Sequence, residues 1–254
     1  MAISRDILTL AIETSNPSLV ADLAPTPGQH GAGPGVAVGH ASDGSVRVLA
    51  CRPLLRAHPN EDPLAGLIEA CVRDAGVRPS DLGRVAVAIG PGGFTSVRVA
   101  VTTAKLIAEA TGAACIGVPS AQVAAWEAAA SAAGEQRADG DAPVAIALAS
   151  KGDSAWVAVY GPDFALRAEP RVMISTDMVG LAGLGVRRLV HDAYLPASMA
   201  AAAAAAGLRS EPVRLSARGV LALSGAAQAV DPAILAPIYP REPEAVTKWR
   251  AMGR

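Results

Sequence analysis

Between Val85 and Gly112 the chain has few ways to fold. Val85-Ala86-Val87-Ala88-Ile89 is a continuous apolar run of strand length, the pattern of a strand buried on both faces. It passes straight into Gly90-Pro91-Gly92-Gly93, whose three glycines and proline dictate a tight turn. Phe94-Thr95-Ser96-Val97-Arg98 then opens a helical pattern that runs to about Thr111 and is ended by Gly112. A buried strand, a glycine turn and a helix in this order are the building unit of an α/β protein.

The flanking segments extend that unit. Ile7 to Ile12 is a second buried-strand run, closed by the polar Glu13-Thr14-Ser15. Pro25 to Gly35 is rich in Pro and Gly and reads as a loop insertion. Val36–Ala41 and Val46–Cys51 are short strands, and Ser42-Asp43-Gly44 between them predicts an antiparallel hairpin. Asp62 as N-cap and Pro63 at the first helical position open a helix. Its Leu64, Leu67, Ile68, Cys71 and Ala75 share one face, and Gly76 ends it. Ala114–Val118 is a strand, and Pro119-Ser120 starts a third helix.

After a polar linker at 134–142 the pattern restarts. Strands are expected at Val144–Ala149, Ala155–Tyr160, Arg171–Ile174 and Arg188–Val190, and helices from Ser175, at Pro196–Ala206 and at Ser216–Val230. Two βββαβα halves make this an internally duplicated α/β protein, with a subdomain over residues 1–118 and another over 119–254. The duplication is one of architecture, without a residue-level repeat. From Pro232 onward four prolines predict an extended arm along the surface.

Composition narrows the function. The net charge of −1 supplies no global field for nucleic acid. Aromatic residues are only 3% of the chain, too few for stacking platforms along its surface. Cys51, Cys71 and Cys115 form an odd set without C-x-x-C spacing, which argues for reduced thiols in a cytoplasmic protein. The apolar stretch Ile7–Ile12 is too short for a signal peptide, and Ala200–Ala206 is too short for a membrane span, so no membrane association is expected.

Two readings fit the Gly90–Arg98 turn. It can cradle an anion on the N–H groups of the following helix, with Thr95 or Ser96 as cap, or it can be a close-packed strand-to-helix turn. Neither G-x-x-x-x-G-K-[ST] nor G-x-G-x-x-G is present, so spacing alone favours the packing turn. The anion candidates are Gly90, Gly92, Gly93, Thr95 and Arg98, together with Glu13, Thr14 and Ser15, for which an ordinary polar strand end is an equal explanation. In the helix, Arg98, Thr102, Lys105 and Glu109 make a polar stripe, and Ala100, Ala104 and Ala108 a ridge that another helix could approach closely. The rest is so apolar that the helix is either central or covered by a partner. His30, His40, His58 and His191 lack metal-ligand spacing, so no metal site is expected. No G-x-S-x-G elbow or nucleophile–base set is present, and Asp81, Asp153 and Asp192 read as caps and loop ends before catalytic carboxylates.

These residues resemble a known family. Leu10-Ala11-Ile12-Glu13-Thr14-Ser15 is similar to the L-A-I-D-T-S opening of the TsaB (YeaZ) family. Gly90-Pro91-Gly92-Gly93-Phe94-Thr95-Ser96-Val97-Arg98, continuing through Ala104-Lys105 to Gly117-Val118-Pro119-Ser120, resembles its G-P-G-S-F-T-G-L-R…A-T-A-K…G-V-x-S. The segment Pro237 to Ala245 resembles its P-x-Y-x-R-x-P-E-A. The match covers residues 7–15, 84–120 and the tail.

The resemblance implies an actin-like, Hsp70-like ATPase (ASKHA) fold. It also implies a non-catalytic scaffold that supports the TsaD catalytic subunit and works with the ATPase TsaE in placing threonylcarbamoyl on adenosine beside the tRNA anticodon. tRNA would be met only through the complex, and ATP and magnesium would enter only there. The family contact is a bundle of two helices, here Asp62–Ala75 and Thr95–Thr111, with Leu64, Leu67, Ile68, Cys71, Val97, Val101, Ala104, Lys105 and Ala108 as interface residues. An exposed apolar helix pair would also allow a homodimer when the partner is missing.

Three departures stand out: Glu13 replaces Asp, Leu148-Ala149-Ser150-Lys151-Gly152-Asp153 replaces D-A-R-K-G-E, and the insertion displaces the second strand. The alternative, an active nucleotide-dependent transferase or kinase of the same fold, would need paired carboxylates and glycine-rich phosphate loops in both halves. The second half shows neither.

Overall fold

The apolar runs pair into two five-stranded sheets of identical plan. The computed structural model describes residues 6–16, 33–42, 45–54, 63–133, 142–241, 246, 249–250 and 252. The Asp62 cap, the Asp43-Gly44 turn, His30, His58, most of the Pro/Gly insertion, the linker up to 141 and residues 242–245 lie outside them.

The first sheet has the order β3-β2-β1-β4-β5, from β1 (Ile7–Glu13), β2 (Gly35–Ser42), β3 (Ser45–Pro53), β4 (Arg84–Ala88) and β5 (Ala114–Val118). β1 runs antiparallel to β2 and parallel to β4, and β4 parallel to β5. The second sheet repeats this as β8-β7-β6-β9-β10, from β6 (Val144–Lys151), β7 (Ser154–Tyr160), β8 (Leu166–Ile174), β9 (Arg188–His191) and β10 (Arg209–Pro212). β6 is antiparallel to β7 and parallel to β9, which is parallel to β10. The expected duplication is present, and the fold is the actin-like α/β type.

Side-chain size sorts the layers. On β1 and β4 the larger residues Leu10, Ile12, Val85 and Val87 face one side, with α1 (Leu64–Asp74) and α2 (Phe94–Thr111). The intervening Ala11, Ala86 and Ala88 face the other, where small side chains let α6 (Ala217–Ser224) lie close. α3 (Ser120–Ala133) packs on β6 of the second sheet and against α6. One inner core thus joins both lobes, from Ala86 and Ile116 through Val123, Val220 and Leu221 to Ile146 and Trp156. The outer face of the second sheet buries Ala145, Val157 and Leu189 under α4 (Met178–Gly183) and α5 (Ala197–Ala205).

Several expectations are corrected. Pro63 occupies the N-cap position of α1, so the helix starts one residue later than expected, because helical hydrogen bonding begins with Leu67 N–H donating to the Pro63 carbonyl. β8 begins at Leu166, not Arg171; it is an edge strand with charged residues on its open face. α6 ends at Ser224, well before Val230, which instead donates to the Cys115 carbonyl beside β5. β10 was not foreseen. The residue level does carry a faint echo of duplication: Gly76-Val77-Arg78, Gly185-Val186-Arg187 and Gly207-Leu208-Arg209 each follow a helix, with all three glycines left-handed. Among the described residues no helix is long and apolar enough to cross a membrane.

Candidate functional site

The polar residues singled out at the end of β1 converge on the glycine turn, but they face one another. Glu13 is fully buried, and its Oε1 accepts both the Ser15 N–H and the Ser15 hydroxyl at 2.6 Å. Its Oε2 has no hydrogen-bond partner among the described residues. Burial pushes the carboxyl up to about 7, against the lowering effect of the two Ser15 bonds, and Glu127 on α3 adds to the rise. The Thr14 hydroxyl donates to the Ser96 carbonyl at 3.2 Å, and the Ser15 carbonyl accepts the Gly93 N–H at 2.7 Å. The strand end therefore stitches β1 to the start of α2.

The turn is closed by the same contacts. The Gly90 N–H donates to the Ser120 hydroxyl at 3.1 Å, and the Ser120 N–H returns to the Gly90 carbonyl at 2.8 Å. The Gly90–Pro91 peptide is cis. Gly92 lies so close to β1 that a Cβ there would sit 2.1 Å from the Ser15 carbonyl oxygen. Gly93, extended at φ −62° and ψ 118°, is the N-cap of α2, and no side chain caps it. The expected capping by Thr95 or Ser96 is corrected, since both lie inside the first helical turn. A magnesium–phosphate group here would find Glu13 turned away and the Gly90 and Gly93 N–H groups engaged, so the residues do not fit it.

A cleft of about 230 Å³ opens between the lobes beside this turn, lined by Asn16, Gly92 and Gly93 on one side and by Ala149, Ser150, Asp192 and Tyr194 on the other. Asp192 is buried, and its two oxygens accept the Ser150 and Tyr194 N–H groups at 3.1 and 3.0 Å. Asp81 accepts the Arg78 N–H at 2.9 Å, and Asp153 stands exposed in the β6–β7 turn. Asp81 caps the short turn Pro79–Asp81, and Asp192 braces the loop after β9, so both stand as the caps and loop ends their sequence context predicts. Among the described residues no group of three His, Cys, Asp or Glu could hold a metal ion.

The helix surface differs from expectation. Leu64, Ile68, Cys71, Val97, Val101, Ala104 and Ala108 are buried in the first lobe's own core, because α1 and α2 lay that stripe directly on the sheet. Their side chains are covered by that core. Leu67 is half-buried against the same core. Lys105 is half-buried, and its Nζ donates to the Ala233 and Leu235 carbonyls at 3.2 Å each. What α2 turns outward is Arg98, Thr102, Leu106 and Glu109. Leu106 is 65% exposed, and Phe94, at the helix start, is 50% exposed. Sequence reasoning passed over Leu106, although the signal was there: it stands two and a half turns from Val97, on the opposite face. The Arg98 guanidinium lies 4.9 Å over the Phe94 ring, which in turn packs 5.3 Å from Tyr239.

Residues 53–233 match the family model of TsaD, tRNA N6-adenosine threonylcarbamoyltransferase. The chain belongs to this family. Its tie is therefore to the threonylcarbamoyl modification of tRNA. Among solved structures it is similar to a Pseudomonas aeruginosa protein described as uncharacterised with similarity to peptidase YeaZ. The two are 19% identical with a TM-score of 0.60, over 92% of this chain and 100% of that one. YeaZ from Pseudomonas aeruginosa is 18% identical with a TM-score of 0.57, over 92% and 99%. At these identities the likeness is one of fold. Together with the TsaD-family match it bears out the TsaB (YeaZ)-type reading of the motifs. No curated protein sequence matches the chain.

Proposed function

We propose that this chain is a non-catalytic partner subunit in the formation of threonylcarbamoyladenosine next to the tRNA anticodon, acting in the cytoplasm. It supports a TsaD-type catalytic paralogue, works with a TsaE-type ATPase, and meets tRNA only through the assembly. The observation that carries this reading is Glu13: the carboxyl at the strand end is withdrawn from the cleft, buried, and bonded to Ser15 of its own strand. A group held this way neither coordinates a cation nor reaches a substrate in the cleft. On this reading the chain binds no nucleotide by itself, and ATP with magnesium enters only in the complex.

Docking runs through the outward face of α2, where Phe94, Arg98, Thr102 and Leu106 combine exposed apolar surface with one cation. The same patch allows self-association of the isolated chain. The cleft at the strand ends favours a second reading, an active nucleotide-dependent transferase or kinase. Titration calorimetry of the isolated chain with ATP and magnesium separates the two. The proposal expects no heat of binding, and tight one-to-one binding would replace it with the second reading.

A further inference from the structure

The segment from Val230 to Arg241 touches both lobes, and its Arg241 end lies against Ala149, which lines the cleft. On the first lobe the Val230 N–H donates to the Cys115 carbonyl at 2.9 Å and the Ile238 N–H to the Ile89 carbonyl at 2.8 Å. Lys105 holds the carbonyls of Ala233 and Leu235, and the Leu235 side chain is buried in that lobe's core. Gly117 leaves the space Leu235 fills, since a Cβ there would lie 2.7 Å from it. Tyr239 packs on Phe94. The segment then crosses to the second lobe, where the Arg241 guanidinium donates to the Ala149 carbonyl, and to the Ser154 carbonyl and hydroxyl at 3.2 and 2.9 Å.

The receiving site is built for this. The β6–β7 pairing is irregular between Leu148 and Lys151, and Ala149 is left-handed at φ 52°, an unfavourable conformation for a residue with a Cβ. That irregularity takes the Ala149 carbonyl out of the ladder, and the Arg241 guanidinium donates to it instead. Ala149 also lines the cleft, so segment and cleft share a wall. A two-lobed fold ordinarily draws its lobes together through a ligand bound between them. Here the core under α3 and α6 already joins the lobes on their inner side, and the C-terminal region adds a second bridge beside the cleft. We infer that Val230–Arg241 is a latch fixing the angle between the lobes, with Arg241 as its pin on the second lobe and Lys105 as its anchor on the first.

The test uses the full chain with spin labels at Glu109→Cys and Glu169→Cys in a Cys51→Ser background. The latched protein gives one narrow interlobe distance. Arg241→Ala lengthens and broadens it, and Arg241→Lys gives an intermediate result, because one ammonium cannot serve three acceptors in a planar fork. Lys105→Met attacks the latch from the other lobe and produces the same broadening, also in the event that Arg241→Ala does not fold. Amide exchange in residues 149–154 rises about tenfold or more in Arg241→Ala while α3 and α6 keep their protection. An unchanged narrow distance in both variants overturns the inference. Broadening by Arg241→Ala alone overturns the assignment of Lys105 as the anchor on the first lobe.

Discussion

Exchanging Glu13 for Gln changes one oxygen for an amide and removes the charge that burial disfavours. In the folded protein the carboxyl titrates at about 7, against 4.5 for the free group. Below pH 4.5 it is neutral in both states, and folding carries no penalty. As pH rises from 4.5 to 7 the unfolded chain releases its proton while the folded chain retains it, so stability falls. Above 7 the full penalty stands, about 3 kcal/mol from the separation of the two values. Urea denaturation of wild type and Glu13→Gln at pH 5, 6, 7 and 8 reads this directly. The stability of Glu13→Gln relative to wild type rises by about 2–3 kcal/mol across that range. Glu127, itself raised mainly by burial, drifts in the same direction in both proteins, and because its charge repels that of Glu13 the difference reads Glu13 together with this coupling. A stability difference that does not change with pH would refute the reasoning, because it would place an ionised or solvated Glu13 in the folded protein.

Gly92→Ala drives a methyl into the Ser15 carbonyl and destabilises the fold by about 2–4 kcal/mol, readable as a lowered Tm with β1 amides losing protection. Ala104→Glu places a charge at a fully buried position and yields little folded protein. Leu106→Glu, two residues on, leaves the circular dichroism and Tm of the monomer unchanged. Ser216 caps α6 by accepting the Gly219 N–H at 2.9 Å and donates to Glu127. Ser216→Ala therefore loses about 1–2 kcal/mol in urea denaturation and leaves Glu127 without that donor.

The parts of the fold with strong apolar periodicity were legible: β1, the β2–β3 pair, β4, α2 and β5 all lie where their residues predict. β10 was not, because Arg209-Ser210-Glu211-Pro212 carries no apolar signal. Its place is held by backbone pairing to β9 and by Glu211, which receives the buried Arg188 guanidinium at 3.0 and 2.8 Å. α6 was drawn too long since the alanines after Gly225 continue a helical pattern that the Cys115–Val230 pairing overrides. At the site, the meeting of Glu13, Thr14 and Ser15 with the glycine turn followed from strand ends. That Glu13 folds back on Ser15 did not, because no residue pattern encodes the direction of a buried side chain. The expected exposure of the α1 and α2 apolar stripe fails for a related reason: such a stripe marks burial without saying against what, and in α2 the answer is its own sheet.

On the proposed function the chain serves catalysis by another subunit through the outward face of α2. Reconstitution with a TsaD-type catalytic paralogue, a TsaE-type ATPase, ATP, magnesium, the threonylcarbamoyl donor and unmodified tRNA tests it, with modified adenosine counted by nucleoside mass spectrometry. The account predicts product only when both this chain and the catalytic paralogue are present, none from this chain alone, and loss of both co-elution and product with Leu106→Glu at unchanged folding. Product from this chain without the paralogue, or full activity and co-elution of Leu106→Glu, would contradict it.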